Sequence, residues 1–398
     1  MLTKTTRLTD WRYLKIGDLA EEVRSLFEPS REEEQPYIGL EHIEQGTLKL
    51  NGIGSSKDTV STKKKFKKGE ILFGSLRPYF RKVIWPKFNG VCSTDITVVK
   101  SKNHSCSIFL FYFISSQAFI DHATNISSGT RMPRASWKTL ADSNWLFPPL
   151  PTQHKIASIL SAYDDLIENN LRRIKILEEM AQNLYREWFV KFRFPGHENT
   201  RFVDSELGRI PEGWEVGKVG NVLKKIKRRV KLKKQDYVSE GMIPVIDQGR
   251  EFIGGYTDIA ESLISNDLPL IVFGDHTRIL KYIDFPFACG ADGTQLLKSN
   301  DDRLPMTLFY YMLLAIDLSD YAYARHFKFL KDELLVLPTK EISKKFNQIV
   351  EFFFEQEKAL MQKNITLRQT RDLLLPKLIS GEVDVSELDI ATQEEMAT

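Results

Sequence analysis

Cysteine is scarce in this chain: there are three in 398 residues, Cys92, Cys106 and Cys289. Their number and scatter exclude a disulfide framework, and His104 with Cys106 has no second ligand pair to complete a tetrahedron, so no metal site is expected. Long apolar runs are also missing. The longest, IFLFYFI from Ile108, falls far short of the roughly 20 residues a membrane helix needs. The opening MLTKTTRLTDW has no apolar core of a secretion signal. A cytoplasmic location without membrane association is therefore expected. Signatures of chemistry are absent as well: no Gly-x-Gly-x-x-Gly, no P-loop, no Gly-x-Ser-x-Gly, no His-Glu-x-x-His. No catalytic residue is expected.

What is present is ordinary globular composition, 42% hydrophobic and 27% charged. Cores rarely grow as one unit beyond roughly 250 to 300 residues, so two or three units are expected. The net charge is only +3, but basic residues gather in KKKFKK (Lys63, Lys64, Lys65, Lys67, Lys68) and in KKIKRRVKLKK, which opens with Lys224, Lys225, Lys227, Arg228 and Arg229. Each cluster fits either a solvated face or a polyanion-binding surface.

The chain repeats itself. FPPLPTQHKIASILSAYDDLIENN from Phe147 returns in paler form as VLPTKEISKKFNQIVEFFFEQE from Val336. At an offset of 190, Ile156 falls on Phe346, Ile159 on Ile349, Tyr163 on Phe353, Leu177 on Leu367 and Leu184 on Leu374. Upstream, WRYLKIG at Trp11 matches WEVGKVG at Trp214 at an offset of 203. LFGS at Leu72 matches VFGD at Val272 at 200, and Cys92 with Asp95 matches Cys289 with Asp292 at 197. A steadily shrinking offset is what loop deletions in the second copy produce. Each copy is then a globular region followed by a long helix. Short β-rich runs broken by Gly and Pro, with helical stretches after them, make the regions α+β.

In the first helix Ile156, Leu160, Tyr163, Ile167, Ile174, Leu177, Ala181, Leu184 and Trp188 alternate by fours and threes, with Asn170 in the one gap. Phe346, Phe353, Leu360, Leu367 and Leu374 recur every seven in the second. These are coiled-coil seams, and an Asn in a seam fits either a register-setting buried site or a solvent-touched one. A helix of roughly 40 residues spans ~60 Å, and Pro195 with Gly196 stop the first. The second region starts beyond the far end of the first helix, which favours an antiparallel pair related by a pseudo-twofold axis. A linker of about 19 residues, extended to ~63 Å, would also permit a parallel one. The expected layout is a first domain over 1–147, a helix over 148–194, a linker over 195–213, a second domain over 214–337, a helix over 338–381 and a tail over 382–398. The fold class is thus α+β, two globular domains separated by an antiparallel coiled coil of two long helices, with an internal repeat.

The prolines of FPPLP evoke an adenine-methyltransferase tetrapeptide but lack its leading Asn or Asp and closing aromatic, and read better as a strand exit into a helix. FPPLPTQHKIASILSAYDDLIENN with LEEMAQNLYREWF, ELGRIPEGWEV opening the second half, and LRQTRDLLLPKLISGEVDV closing the second helix carry a resemblance. Together with the order region, helix, region, helix, the chain resembles the specificity subunit of type I restriction–modification systems over nearly its whole length. The resemblance implies a non-enzymatic subunit with two target recognition domains, each reading half of a bipartite site on double-stranded DNA. It implies two modification subunits assembled on the helices, and motor-nuclease restriction subunits in the full complex. Adenine methylation flips a base into the modification subunit's pocket, so S-adenosylmethionine is expected there and no cofactor in this chain. Because the two regions differ, the target should be asymmetric.

Reading DNA needs donors and acceptors at base edges and cations at phosphates. In the first region SSGTRMPRASWK offers Gly129, Thr130, Arg131, Arg134 and Lys138, and YARHFKF offers Arg325, His326 and Lys328 in the second. SLRPYFRK offers Arg77, Tyr79, Arg81 and Lys82, and GDHTRILK offers Asp275, His276, Arg278 and Lys281 at the matching place. Arginine is the usual bidentate partner of guanine and aspartate can accept from cytosine, whereas the lysine clusters suit phosphates. Each loop also fits a solvated or partner-facing surface. Two other functions remain open at this point, a coiled-coil adaptor binding proteins through its globular ends and an enzyme with an unrecognised site.

Overall fold

The computed structural model describes residues 10–30, 32–226, 230–291, 293–321 and 325–391. It forms two compact units, Met1–Asn170 with Gln362–Thr398, and Leu171–Met361. The helices are α1 (Ile16–Leu19), α2 (Ser107–Ser115), α3 (Gln117–Asn125), α4 (Trp137–Ala141), α5 (Leu150–Tyr185), α6 (Met306–Leu314), α7 (His326–Asp332) and α8 (Lys340–Ile379). Both long helices contribute residues to both units. Among the described residues no helix is long and apolar enough to cross a membrane.

In the first unit an antiparallel sheet runs in the order Ala20–Glu22, Ile96–Ser101, Ile71–Gly74, Val83–Ile84. A five-stranded sheet runs Leu26–Phe27, Lys63–Phe66, Gly90–Cys92, Pro36–Ile38, Gly54–Ser55, with Ile38 beside Cys92 in its one parallel pair. Arg12–Lys15 pairs with Asn144–Phe147 and leads the chain into α5. α2 is apolar on every side and is buried on every side, Phe109 to Ile114.

The second unit repeats this plan. Glu215–Lys218 pairs with Leu334–Leu337 immediately before α8. Leu280–Ile283, Leu270–Gly274 and Thr294–Leu297 form an antiparallel sheet, and Ile246 lies parallel beside Cys289 as Ile38 does beside Cys92. The duplication read from offsets is therefore a duplication of topology. One pairing needs correction. Phe73 faces Val83 and Phe273 faces Leu280, so the second copy has lost three residues in this hairpin. Lys281 accordingly takes the place of Ile84, and is no counterpart of Lys82.

Within each unit the two long helices run antiparallel. In the first, Ile156 and Leu160 share a core with Leu375 and Leu378, Asp164 meets Arg371, and Asn170 meets Asn364. In the second, Trp188 packs on Phe346 with ring centroids 6.1 Å apart. The expected seam residues Ile156, Leu160, Ile167, Asn170, Ile174, Ala181, Trp188, Phe346 and Leu360 are buried. Tyr163, Leu177, Leu184, Phe353, Leu367 and Leu374 are half-buried. α8 carries a second row spaced by sevens, Val350, Glu357, Asn364, Arg371 and Leu378, buried throughout except for the half-buried Glu357. Its middle three members are polar, which hides it from any count of apolar residues.

Boundaries differ from expectation at the end of α5 and in the linker, whereas α8 ends within the expected range. α5 ends at Tyr185 in a π-helical turn, Arg186–Val190. The expected linker is folded: Phe202–Ser205 and Gly208–Pro211 form a hairpin, drawn in because Ile210 and Trp214 join Phe189 and Phe194 in the core. α8 continues through Pro376 to Ile379. The segment after it is anchored, with Val385 buried and the Lys155 ammonium donating to Ser386 O at 2.6 Å.

Asn170 Nδ2 donates to Asn364 Oδ1 at 2.9 Å, and both residues are buried. Asn170→Leu should destabilise by about 1–3 kcal/mol, because it strands the Asn364 amide. Adding Asn364→Leu should restore most of that while loosening register. Urea unfolding of the single and double variants checks both, and a single variant as stable as the parent would exclude a structural role for the pair.

Candidate nucleic-acid interface

The candidate surface of the first unit begins where the buried strand Ile71–Gly74 ends. There the backbone turns sharply, with Arg77 and Arg81 both left-handed at φ 51° and 48° flanking Pro78–Phe80. A tab, residues 127–135, is stitched to this turn. Ser128 and Arg134 exchange backbone bonds of 3.1 and 2.9 Å. Gly129, at φ 101°, makes the reversal, and a Cβ there would stand 3.2 Å from Met132 O. Arg77 N donates to Pro133 O at 2.7 Å and Ala135 N to Ser75 O at 3.0 Å. The Arg134 guanidinium binds Asp95 Oδ1 at 2.5 Å, and Arg77 Nη2 donates to Arg131 O at 3.2 Å. Thr130, Arg131 and Met132 are left exposed at the tip, with Arg77 and Tyr79 exposed beside them and Lys138 exposed on α4. The sequence thus brings Arg77, Tyr79, Gly129, Thr130, Arg131 and Arg134 to one place.

The second unit builds the same turn after Leu270–Gly274. Arg278 is left-handed at φ 62° and takes the place of Arg81, each preceding the residue whose carbonyl accepts from the strand's last glycine, and Arg278 Nη1 donates to Leu318 O at 3.1 Å. His326 N donates to Asp275 O at 3.0 Å, the bond that Ala135 makes to Ser75, so Arg134 and Arg325 hold matching positions. His276, Thr277, Arg278, Arg325 and Lys328 are exposed. Gln248 braces the turn: its Oε1 accepts from His276 N at 3.1 Å and its backbone carbonyl from Thr277 Oγ1 at 2.7 Å. Exposed guanidinium forks on a rigid, bonded turn suit bidentate contacts to base edges and phosphates.

Residues 9–179 match the family described as Type I restriction modification DNA specificity domain. The type I restriction enzyme MjaIX specificity subunit of Methanocaldococcus jannaschii is 27% identical over 345 residues, 81% of this chain and 79% of that protein. The type I restriction enzyme EcoDI specificity subunit of Escherichia coli is 31% identical over 45% of this chain and 43% of its own length. The crystal structure of a type I restriction–modification S subunit from M. genitalium shares the fold, with TM-score 0.56 and 18% identity over 95% of this chain and 98% of that one. Residues 9–179 thus match the DNA specificity domain of type I restriction–modification systems, and most of the chain is similar to a type I specificity subunit.

Several residues expected at DNA are turned inward in this chain. Lys63 is buried, donating to Ser61 O and Oγ at 2.5 and 2.7 Å with its ammonium over the Tyr37 ring. Lys64 reaches Ile96 O at 2.9 Å and Glu22 at 3.6 Å. Arg81 donates to Ser115 O at 2.7 Å, and burial draws its pKa below the ordinary value against the pull of Asp372. Lys82 donates to Leu40 O at 2.6 Å. Lys281 is buried on Asp247 O and Glu251 O, and burial lowers its pKa. Asp275 is buried with Oδ1 accepting from Phe327 N at 2.8 Å. His326 is buried too, each ring nitrogen against a backbone carbonyl, of Asp275 and Tyr321. All seven brace the fold, because a strand that buries one face takes its lysine stems inside and must answer their charge with carbonyls.

Lys65, Lys67, Lys68 and Lys225 are exposed. Lys224 is exposed and lies 2.8 Å from Asp267, whose carboxyl its hydrogen bond holds below the ordinary range. Lys227, Arg228 and Arg229 lie outside the described residues. Asp95, Met132 and Gln248 are not among the residues that the sequence offered for DNA. For Asp95 a signal existed, since it follows Cys92 by three residues as Asp292 follows Cys289. Among the described residues no group of three or more His, Cys, Asp or Glu is placed to hold a metal ion.

Proposed function

We propose that this chain is a type I specificity subunit that reads two unlike half-sites on duplex DNA, one with each unit, and brings modification and restriction subunits to them without catalysing either reaction. The observation that carries this reading is the repeated exit turn. One backbone device, a turn that leaves a buried strand, ends in a left-handed arginine (Arg81, Arg278) and is tied at its first residue to the segment leading to a long helix, recurs in both units with different exposed side chains. Arg77, Tyr79, Arg131 and Arg134 in one and His276, Thr277, Arg278 and Arg325 in the other present different donor patterns, so the target is asymmetric. The relatives' names, specificity subunits of restriction enzymes, support it. A purely structural adaptor would leave the repeated arginine turn without a role. S-adenosylmethionine belongs in this reading to the modification partner.

Mapping methylated adenines in the host genome with and without this chain tests the proposal. Methylation at one asymmetric, two-part sequence should disappear when the chain is removed, and the purified chain alone should neither methylate nor cut that sequence. An unchanged methylation map would overturn it.

A further inference from the structure

The polar row of α8 contains three layers, and the layer of Glu357 is the one without an opposite or neutral side-chain partner. Asn364 is answered by Asn170 and Arg371 by Asp164, but the charged neighbour of Glu357 is a second carboxylate, Glu178. Glu357 Oε1 is buried and has no hydrogen-bond partner among the described residues. Burial, then Glu178, raises the Glu357 carboxyl to about 7, and burial, then Glu179, raises Glu178. The nearby cations are held elsewhere: Lys358 by Asp284 at 2.9 Å, Lys175 by Glu179 at 3.8 Å, and Lys281 by backbone carbonyls.

The two carboxyls line a cleft of about 580 Å³ in the second unit, a size common for small-molecule sites. Its other walls are aromatic. Tyr282 stands edge-on to Phe354 and Tyr310 at 4.9 and 5.7 Å between centroids, and Tyr310 to Tyr311 at 5.4 Å. Both Tyr310 and Tyr311 feel Glu178 and Glu357. A neutral or anionic occupant would leave the half-buried Glu357 carboxylate and its exposed neighbour Glu178 unanswered. A hard divalent ion takes a shell of oxygen ligands, which rings do not supply. An ammonium on a hydrocarbon stem satisfies both walls, because carboxylates take the charge while aromatic faces attract cations and cover methylenes.

We propose that this cleft binds an alkylammonium group, its nitrogen between Glu178 and Glu357 and its stem on the rings of Tyr282, Tyr310, Tyr311 and Phe354. The group can arrive on a free amine or on a lysine side chain of an associated chain; the chemistry is the same. Binding favours ionised Glu357, so affinity should fall roughly tenfold per pH unit as pH drops below about 7, where alkylamines stay protonated. The charged and titratable groups facing Glu357 are Lys175, Glu178 and Glu179 on α5, Tyr310 and Tyr311 on α6, Lys281, Tyr282 and Asp284 on and after the strand Leu280–Ile283, and Lys358 on α8.

Calorimetric titration of the full chain at pH 8 and pH 6 with 1,5-diaminopentane, and separately with Nα-acetyl-lysine methylamide, tests the proposal. Saturable binding should appear, weaker at pH 6, and at least tenfold weaker in Glu357→Gln and in Glu178→Gln, with parental circular dichroism in both. Tighter binding of the diamine identifies a free-amine site, and tighter binding of the lysine derivative a docking site for a side chain. No binding of either probe to the parent chain, or equal binding by the parent and a folded variant, overturns the proposal.

Discussion

Arg371→Ala should destabilise the first unit by about 3–5 kcal/mol, the usual effect of removing one partner of a buried ion pair. Arg371 is 2% exposed, and its guanidinium bonds both Asp164 and Asp372, the latter at 2.9 Å. Asp164 also accepts from Tyr112 Oη at 2.5 Å, so the layer ties α5, α8 and α2 together. Without the guanidinium, Asp164 keeps a neutral hydroxyl as its partner and a cavity opens in the seam. Lys49 and Arg81, which feel the positive charge of Arg371, gain a little from its loss, but solvent screening keeps that gain well below the cost. A loss of roughly ten degrees in Tm is expected. Arg371→Met with Asp164→Leu should recover much of it, since replacing both members of such a pair is often neutral. A single variant that melts with the parent would show that the layer contributes nothing to stability.

Arg131→Glu should weaken binding of the cognate duplex by about 10–100-fold at moderate salt, and reduce the slope of log K against log salt by about one to two. Its side chain is exposed at the tip of the tab, so Tm should stay within about a degree of the parent. Arg134→Glu should behave differently. It places a carboxylate against Asp95, 2.5 Å from the present guanidinium, and so should loosen the tab and lose binding together. Lys63→Ala is the useful contrast: a buried lysine bonded to Ser61 should alter stability and leave the salt slope unchanged. Fluorescence anisotropy across a salt series, paired with thermal melts, separates the three. Parental affinity in Arg131→Glu would remove the tab from the DNA interface.

The pattern of these variants reflects what could be read without coordinates. Apolar spacing marked the seam residues from Ile156 to Trp188, and the Pro and Gly stops marked helix ends approximately, because periodicity and backbone restriction act over a few residues. The drifting offsets revealed the duplication for a related reason, since deletions shift numbering without changing which residues face a core. The second row of α8 was illegible. Asn364 and Arg371 are buried and Glu357 half-buried, and an apolar count scores each as solvent-facing.

The chain's own order of residues determined the repeated α+β plan, the two long helices and the loops rich in arginine, all of which follow from local propensity and period. Tertiary structure alone decided which cations face outward. Lys63, Lys281 and Lys68 are the same residue type, yet carbonyls supplied by segments distant from Lys281, and strand alternation at Lys63, turn the first two inward and leave Lys68 exposed. It also decided that 195–213 folds against Trp214 and is no extended arm. Burial of a charge depends on partners brought from far along the chain, and no short-range rule contains them.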